Sequence, residues 1–266
     1  MDRRAFMKLS AAVPAASLMS KLPGLVPIAA AQQKAFRPQP GTWRTYEVTT
    51  RVEPLKPAGV TRVWIPLPSV EGEYQKLGPN KWSGNAAVME PLTDPAYGAG
   101  MLYAEWPAGE SAPVVEVISR FQTQDRAVDW SKKTRARLDA AAVRKWTQPT
   151  DLMPTDGIVK ETADEITAGK RTDLAKTQAV YDWMIANTYR EPKVRGCGVG
   201  DIKAMLETKS FGGKCADLNG LFVGLVRAAG VPARDVYGIR VAPSAFGYRS
   251  LGAGSPNISK AQHCRA

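Results

Sequence analysis

The feature that most constrains this chain is a cysteine at the start of a strongly apolar helical pattern. The segment 211–234 reads FGGKCADLNGLFVGLVRAAGVPAR. Its apolar residues recur at helical spacing: Leu218, Leu221, Phe222, Leu225, Val226 and Ala229. Gly230 is placed to end the helix, and Pro232 prevents its continuation. The pattern predicts a helix with one buried face that begins at Cys215.

A cysteine at a helix start is well placed to act as a nucleophile. Unpaired backbone N–H groups and the helix dipole favour negative charge there, so we expect the thiol pKa to fall from about 8.5 toward neutrality. Gly212 and Gly213 allow a tight turn that leaves the sulfur open to a substrate. The same N–H groups are placed to bind the oxyanion of a tetrahedral intermediate. Cys215 is therefore our candidate nucleophile.

A nucleophilic thiol needs a base, and His263 is the one histidine of the sequence. It lies on a predicted strand after a long loop, and a cysteine and histidine far apart in sequence can be neighbours in a fold. The ordinary interpretation of each residue stays open: a small buried cysteine, and a histidine without chemistry. The motifs CxxC and HxxxH are absent, so the sequence predicts neither a metal nor a cofactor.

Cys197 and Cys264 are the other two of the three cysteines. In an exported protein, an odd number leaves at least one thiol unpaired. If Cys215 is the working thiol, Cys197 and Cys264 are free to form a disulfide, and the sequence leaves open whether they meet.

Residues 1–31 have the composition of an export signal. Arg3 and Arg4 stand in a charged head, an apolar stretch follows, and Ala29 to Ala31 offer a small-residue cleavage site. This pattern predicts a twin-arginine signal and a periplasmic or otherwise exported protein, with an uncleaved amphipathic anchor as the alternative. No apolar run reaches roughly 18 residues, so we expect no transmembrane helix.

Strand patterns dominate residues 32–127. Apolar residues alternate at 43–54 and 60–67, and strand composition returns at 101–106 and 114–122. Prolines at positions 66 and 68 predict an edge strand or a strand end, and 69–100 is predicted to be a loop. We expect an antiparallel, sandwich-like domain without chemistry of its own.

Helical spacing dominates residues 128–266. Predicted helices cover 131–146, 158–168, 172–189 and 202–208, in addition to the one that begins at Cys215. Strands are predicted at 234–241 and 261–266. The fold class is therefore α+β, with a signal at 1–31, a β-rich domain at 32–127 and a mixed domain at 128–266.

The formal net charge of +11 does not predict nucleic-acid binding. Lysines and arginines are scattered, no run reaches five, and the densest cluster, at 132–137, is typical of a solvated helix face. A weak attraction to anionic surfaces is what this charge supports.

Several motifs together resemble the core of the transglutaminase-like superfamily. They are GKCAD at 213–217 and GVPAR at 230–234, preceded by YDW at 181–183 and NTY at 187–189. The resemblance runs from about residue 154 to the end. It implies a papain-like core of helices packed on an antiparallel sheet, with Cys215 as nucleophile and His263 as base and acid.

The chain departs from the family pattern after the histidine. Family members usually carry an aromatic residue soon after it, whereas Cys264, Arg265 and Ala266 follow here. The family's third catalytic residue, an aspartate, lies downstream of the histidine. We therefore expect it beyond residue 266, with the last strands missing from an apparently truncated core.

Three functions are compatible with these features. The first is an exported thiol-dependent acyl-transfer enzyme that hydrolyses or transfers amide acyl groups of a peptide or protein, cell-wall peptide among them, through a thioester on Cys215. The second is a catalytically inactive binding or scaffold protein of the cell envelope with the same fold. The third places the function in the β-rich domain, as a carbohydrate- or protein-binding sandwich. The sequence does not predict an oligomeric state.

Overall fold

Strands come first along the chain and helices second, as the change of apolar period predicts. The computed structural model describes residues 39, 41–125, 137–243, 257–259 and 261–266. The predicted signal at 1–31 and the predicted domain boundary after residue 127 lie outside these residues, as does the first part of the helix predicted at 131–146.

Six strands form two antiparallel sheets in the N-terminal half. They are β1 (Arg44–Val52), β2 (Thr61–Pro66), β3 (Gln75–Gly84), β4 (Val88–Thr93), β5 (Gly100–Trp106) and β6 (Val115–Thr123). The strand orders are β1-β6-β3 and β2-β5-β4. Buried side chains of both sheets share one core: Ile65, Leu102, Ala104, Trp106, Val115 and Val117. This is the predicted sandwich, and β2, with its proline, is an edge strand as expected.

The loop predicted at 69–100 is wrong, because it contains β3 and β4. The glycines, prolines and asparagines of this segment suggested a loop, but Gly78 and Pro79 lie in a β-bulge, where the pairing of β3 with β6 shifts register between Leu77 and Asn80. A Cβ at Gly78 would lie 2.4 Å from the carbonyl oxygen of Arg120, so the bulge requires glycine. Strand β3 therefore continues through a glycine and a proline, two residues that usually interrupt a strand.

The C-terminal half contains five helices and four short strands in its described part. The helices are α1 (Ala140–Thr147), α2 (Gly157–Thr167), α3 (Asp173–Asn187), α4 (Ile202–Thr208) and α5 (Cys215–Ala228). The strands are β7 (Tyr189–Arg190), β8 (Gly212–Gly213), β9 (Val236–Ile239) and β10 (Gln262–Arg265). β9 and β10 pair antiparallel, whereas β7 and β8 form a parallel pair. The α+β class is confirmed.

Helix α5 is the centre of the second core. We predicted one buried face, but its residues are buried nearly all round, including Gly220, Val223 and Gly224. Helices α2, α3 and α4 pack around it, and a Cβ at Gly224 would lie 2.1 Å from the Cδ1 of Ile202. The glycines of α5 let neighbouring helices approach it closely, which fixes the position of its first residue.

The end of α5 follows the prediction. Gly230 has a φ of 82°, its N–H donates to Arg227, and the N–H of Val231 donates to Val226. These two bonds form a Schellman motif, which satisfies carbonyls at the helix end. No helix in the described part of the chain is long and apolar enough to cross a membrane.

Candidate functional site

Cys215 is the first residue of α5, as predicted, and its side chain is half-buried. Lys214 precedes it in an extended conformation. The side-chain amide of Asn219 donates to the Cys215 carbonyl over 2.8 Å, which adds a hydrogen bond to the first turn. The thiol therefore stands on a fixed backbone.

A buried carboxylate organises the backbone around Cys215. Asp217 is 8% exposed and accepts hydrogen bonds from three backbone N–H groups. Its Oδ2 accepts from Lys214, and its Oδ1 accepts from Val199 and Gly200, each over 2.9 Å. Asp217 thus closes the first turn of α5 and also holds the loop that precedes α4 against it.

Two glycines make room for this carboxylate. Gly198 has a φ of 97°, and a Cβ there would lie 1.9 Å from an oxygen of Asp217. A Cβ at Gly213 would lie 2.5 Å from the Asp217 Cβ. The glycine-rich turn before α4 and the glycine pair before Cys215 are therefore shaped by the same side chain.

The loop held by Asp217 brings Cys197 to the site. The Cys197 carbonyl accepts a 2.8 Å hydrogen bond from the N–H of Ala216, within the first turn of α5. This N–H was a candidate oxyanion donor, but it is occupied. No described residue accepts a hydrogen bond from the N–H of Cys215, which therefore remains available.

Three cysteine sulfurs come together at the start of α5. The Sγ atoms of Cys197, Cys215 and Cys264 all lie within 4.8 Å of one another, and all three cysteines are free thiols. Cys197 and Cys264 thus do meet, without a disulfide. The spacing of the cysteines in the sequence predicted no metal-ligand set. In the folded chain, however, the three sulfurs are close enough together that they could bind one metal ion.

Strand β10 presents Cys264, not His263, to Cys215. Cys264 is buried, and His263, the residue before it, is exposed. Neighbouring residues on a strand point to opposite faces, so the imidazole lies on the face away from the three sulfurs. The His263 backbone pairs with Gly238 of β9, and its imidazole has no hydrogen-bond partner among the residues that the structure describes. The structure therefore packs the strand that carries His263 against α5, and the sulfur of Cys264 is the group of that strand that lies beside the Cys215 sulfur.

The local environment changes the acidity of several groups. Burial raises the pKa of the Cys197 and Cys264 thiols, and the neighbouring Cys215 thiol adds to both increases. Although His263 is exposed, partial loss of hydration around its ring lowers its pKa below the ordinary 6.5, and the positive charges of Arg265 and Arg240 lower it further. The imidazole is therefore mostly neutral at pH 7.

Tyr237 lies opposite Cys264 on the paired strand β9. Burial raises the pKa of its hydroxyl, and the adjacent carboxylate of Asp235 raises it further. Because Tyr237 and Cys264 are directly opposite each other in the antiparallel pair, their side chains lie on the same face of the two strands. Tyr237 is a neutral hydrogen-bonding group at this site.

Our sequence interpretation missed Asp217, Cys264 and Tyr237 as site residues. Asp217 carried a signal, because an acidic residue three positions after a helix N-cap is typical of a capping box. Cys264 and Tyr237 carried none, because their place depends on the register of β9 and β10.

Comparisons with known proteins find a family match in the C-terminal half. The family model of the Transglutaminase-like superfamily matches residues 160–266. An uncharacterized protein of Haemophilus influenzae is 35% identical over 237 residues, which cover 84% of this chain. The chain spans 63% of the length of that curated relative.

Two solved structures are also similar to this chain. A "Putative Cysteine Protease" from Cytophaga hutchinsonii matches with a TM-score of 0.60 at 13% identity, over 76% of this chain and 70% of its own. This likeness confirms the fold. The periplasmic domain of TgpA from Pseudomonas aeruginosa matches with a TM-score of 0.33 at 16% identity, over 75% of this chain and 74% of its own.

Proposed function

Because residues 160–266 match the family model of the Transglutaminase-like superfamily, we propose that this protein is a thiol-dependent acyl-transfer enzyme with Cys215 as its nucleophile. The observation that carries the proposal is the position of Cys215. It is half-buried at the first turn of a rigid central helix, and its own N–H has no acceptor among the described groups.

The proposed reaction begins when the sulfur of Cys215 attacks an amide carbonyl of the substrate. The carbonyl oxygen becomes an oxyanion, which accepts a hydrogen bond from the N–H of Cys215. The C–N bond then breaks, the amine leaves with a proton, and a thioester remains on Cys215. Water releases the acyl group as a carboxylate, or a second amine takes it to form a new amide.

His263 remains our proposed base and acid, by its match to the family pattern. Strand β10 has four residues, and in the described part of the chain it pairs only with β9. Moving a strand by one residue turns every side chain to the other face. A shift of one position would therefore exchange Cys264 and His263 and bring the imidazole to Cys215.

A second function is favoured by the arrangement as it stands. With Cys264 against Cys215 and His263 on the other face, the thiol lacks the base that acyl transfer needs. An inactive binding or scaffold protein with this fold is therefore the competing proposal. A scaffold protein would have no turnover of substrate, so substitutions at Cys215 and His263 would have no catalytic effect.

We extend the enzymatic proposal to location and substrate. The composition of residues 1–31 supports export to the periplasm or beyond by a twin-arginine signal. An exported enzyme of this chemistry has peptide, protein or cell-wall peptide amides within reach. We favour hydrolysis of peptide or isopeptide bonds, with transfer to a lysine amine as the alternative.

The test is to trap the acyl-enzyme. We expect the reduced full chain to gain the mass of one acyl group when incubated with an activated ester such as p-nitrophenyl acetate, and to lose it in hydroxylamine. Peptide mapping should place the group on Cys215, and Cys215→Ser should gain none. Acylation shared equally by the three cysteines, or absent altogether, would favour the scaffold.

Two neighbouring variants identify the base. We expect His263→Ala to lower the acylation rate by at least about 100-fold, because general base catalysis contributes 10²–10⁴-fold. Cys264→Ser, the matched control one residue away, should retain the rate within about threefold. Equal rates for His263→Ala and the parent chain would remove His263 from the mechanism.

A further inference from the structure

The fold gathers three thiols from three separate segments. Cys197 comes from the loop before α4, Cys215 from the start of α5 and Cys264 from β10. A nucleophile requires one sulfur and a disulfide requires two, whereas here all three lie within 4.8 Å of one another. This triangular arrangement goes beyond what acyl transfer uses.

We propose that these three sulfurs form a binding site for one soft metal ion, Cu(I). Thiolate sulfurs are the ligands that Cu(I) prefers in proteins, and it accepts three of them in a plane. Sulfurs bound at about 2.3 Å around a planar ion lie roughly 4 Å apart, taking a typical metal–thiolate length. The observed triangle, in which no side exceeds 4.8 Å, is compatible with that geometry.

The donor set favours Cu(I) over Zn²⁺. Structural zinc sites take four protein ligands in a tetrahedron. Among the residues that the structure describes, the group contains three sulfurs and no histidine or carboxylate. His263 lies on the opposite face of β10, so it cannot complete a tetrahedron without rearrangement.

Hydrogen bonds hold the backbone around the three sulfurs in place without a bound ion. The Cys197 carbonyl is held by the N–H of Ala216, and Asp217 holds both the Cys197 loop and the turn that carries Cys215. Such outer contacts orient the ligands of metal sites. Cys197 and Cys215 are half-buried and Cys264 is buried, so an ion can approach from the side of the first two.

Occupancy of the site would prevent acyl transfer, because the ion uses the Cys215 sulfur. The inference does not depend on the proposed function, since binding is measured without a substrate. If Cu(I) binds but no acyl-enzyme forms, only the proposed function fails. If an acyl-enzyme forms but Cu(I) does not bind, only the metal site fails.

The experiment uses the full chain, reduced and kept without oxygen. Cu(I), supplied as its acetonitrile complex, is titrated against the chelator bicinchoninic acid, after a thiol assay has confirmed three free thiols. We expect one Cu(I) per chain, a thiolate-to-copper absorption band in the near ultraviolet, and three sulfurs in the X-ray absorption spectrum.

Serine variants locate the ligands. We expect Cys197→Ser, Cys215→Ser and Cys264→Ser each to weaken Cu(I) binding by at least about 100-fold, since losing even an outer-shell partner costs 10–100-fold. Circular dichroism checks that each variant is folded. Lys160→Ala keeps all three sulfurs, changes only an exposed side chain of α2, and serves as the matched control, with affinity within about threefold of the parent.

Three outcomes would overturn the proposal. One is a reduced chain with three free thiols that takes up no Cu(I). Another is parent affinity in either Cys197→Ser or Cys264→Ser, which would indicate binding at a single thiol. The third is Zn²⁺ displacing Cu(I) at equal concentration, which would assign the site to a different ion.

Discussion

The start of α5 and strand β10 meet at the same sulfur cluster, but they are held in different ways. At the start of α5, one buried carboxylate accepts three backbone hydrogen bonds. Strand β10 has four residues, paired in the described structure with β9 alone. The position of Cys215 is therefore fixed by local hydrogen bonds, whereas the residue that faces it depends on strand register.

The largest effect that this comparison predicts is at Asp217. We expect Asp217→Ala to lower the free energy of unfolding by at least about 3 kcal/mol, because it removes the acceptor of three backbone N–H groups near the core. Urea unfolding followed by circular dichroism measures it. Asp217→Asn keeps one acceptor oxygen and should cost about half as much. A loss below 1 kcal/mol for Asp217→Ala would mean that other contacts hold the turn.

A smaller effect is expected at Gly198. Gly198→Ala should cost about 1–3 kcal/mol, because alanine must adopt a φ of 97° and its Cβ would contact the Asp217 carboxylate. Gly196→Ala is the matched control, since Gly196 also has a positive φ, of 60°, but open space around its Cβ position. Equal losses in the two variants would assign the effect to the backbone alone.

The smallest expected effect on the free energy of unfolding comes from the titration of His263 on β10. Its folded pKa lies below 6.5, so the unfolded chain binds more protons just below that pH, and stability should rise slightly with pH across that range. His263→Gln should remove this dependence. Because the chain has one histidine, a proton NMR titration assigns the pKa directly. A value above 6.5 would place a negative charge beside the ring.

Much of the second core was predictable from sequence because its signals are local. The spacing of apolar residues, Gly230 and Pro232 predicted α5 and its end. Helical spacing also predicted α4 at 202–208, where the Asp201 side chain accepts a hydrogen bond from the N–H of Ala204. The sequence predicted the sandwich but not all of its strands. β3 and β4 were missed because glycines and prolines, such as those in the bulge at Gly78, have the composition of a loop.

The sulfur cluster was not predictable, because its contacts join distant segments. The sequence identified Cys215 by its place at a helix start. It could not show that Cys197 and Cys264 approach it, nor which residue of β10 faces inward. A shift of β10 by a single residue would change which side chain faces inward. The alternation of apolar and polar residues over only four positions gives little information about that register.

The buried guanidinium of Arg227 has a consequence for how this half of the molecule opens. Arg227 is 4% exposed and donates to the carbonyls of Gln148, after α1, and Ala233, after α5. It ties the end of the cysteine helix to two connecting segments, so their amide hydrogens should exchange with solvent together rather than one segment at a time. Fluctuations of the connection after α1 would then reach the thiol through the length of a single rigid helix.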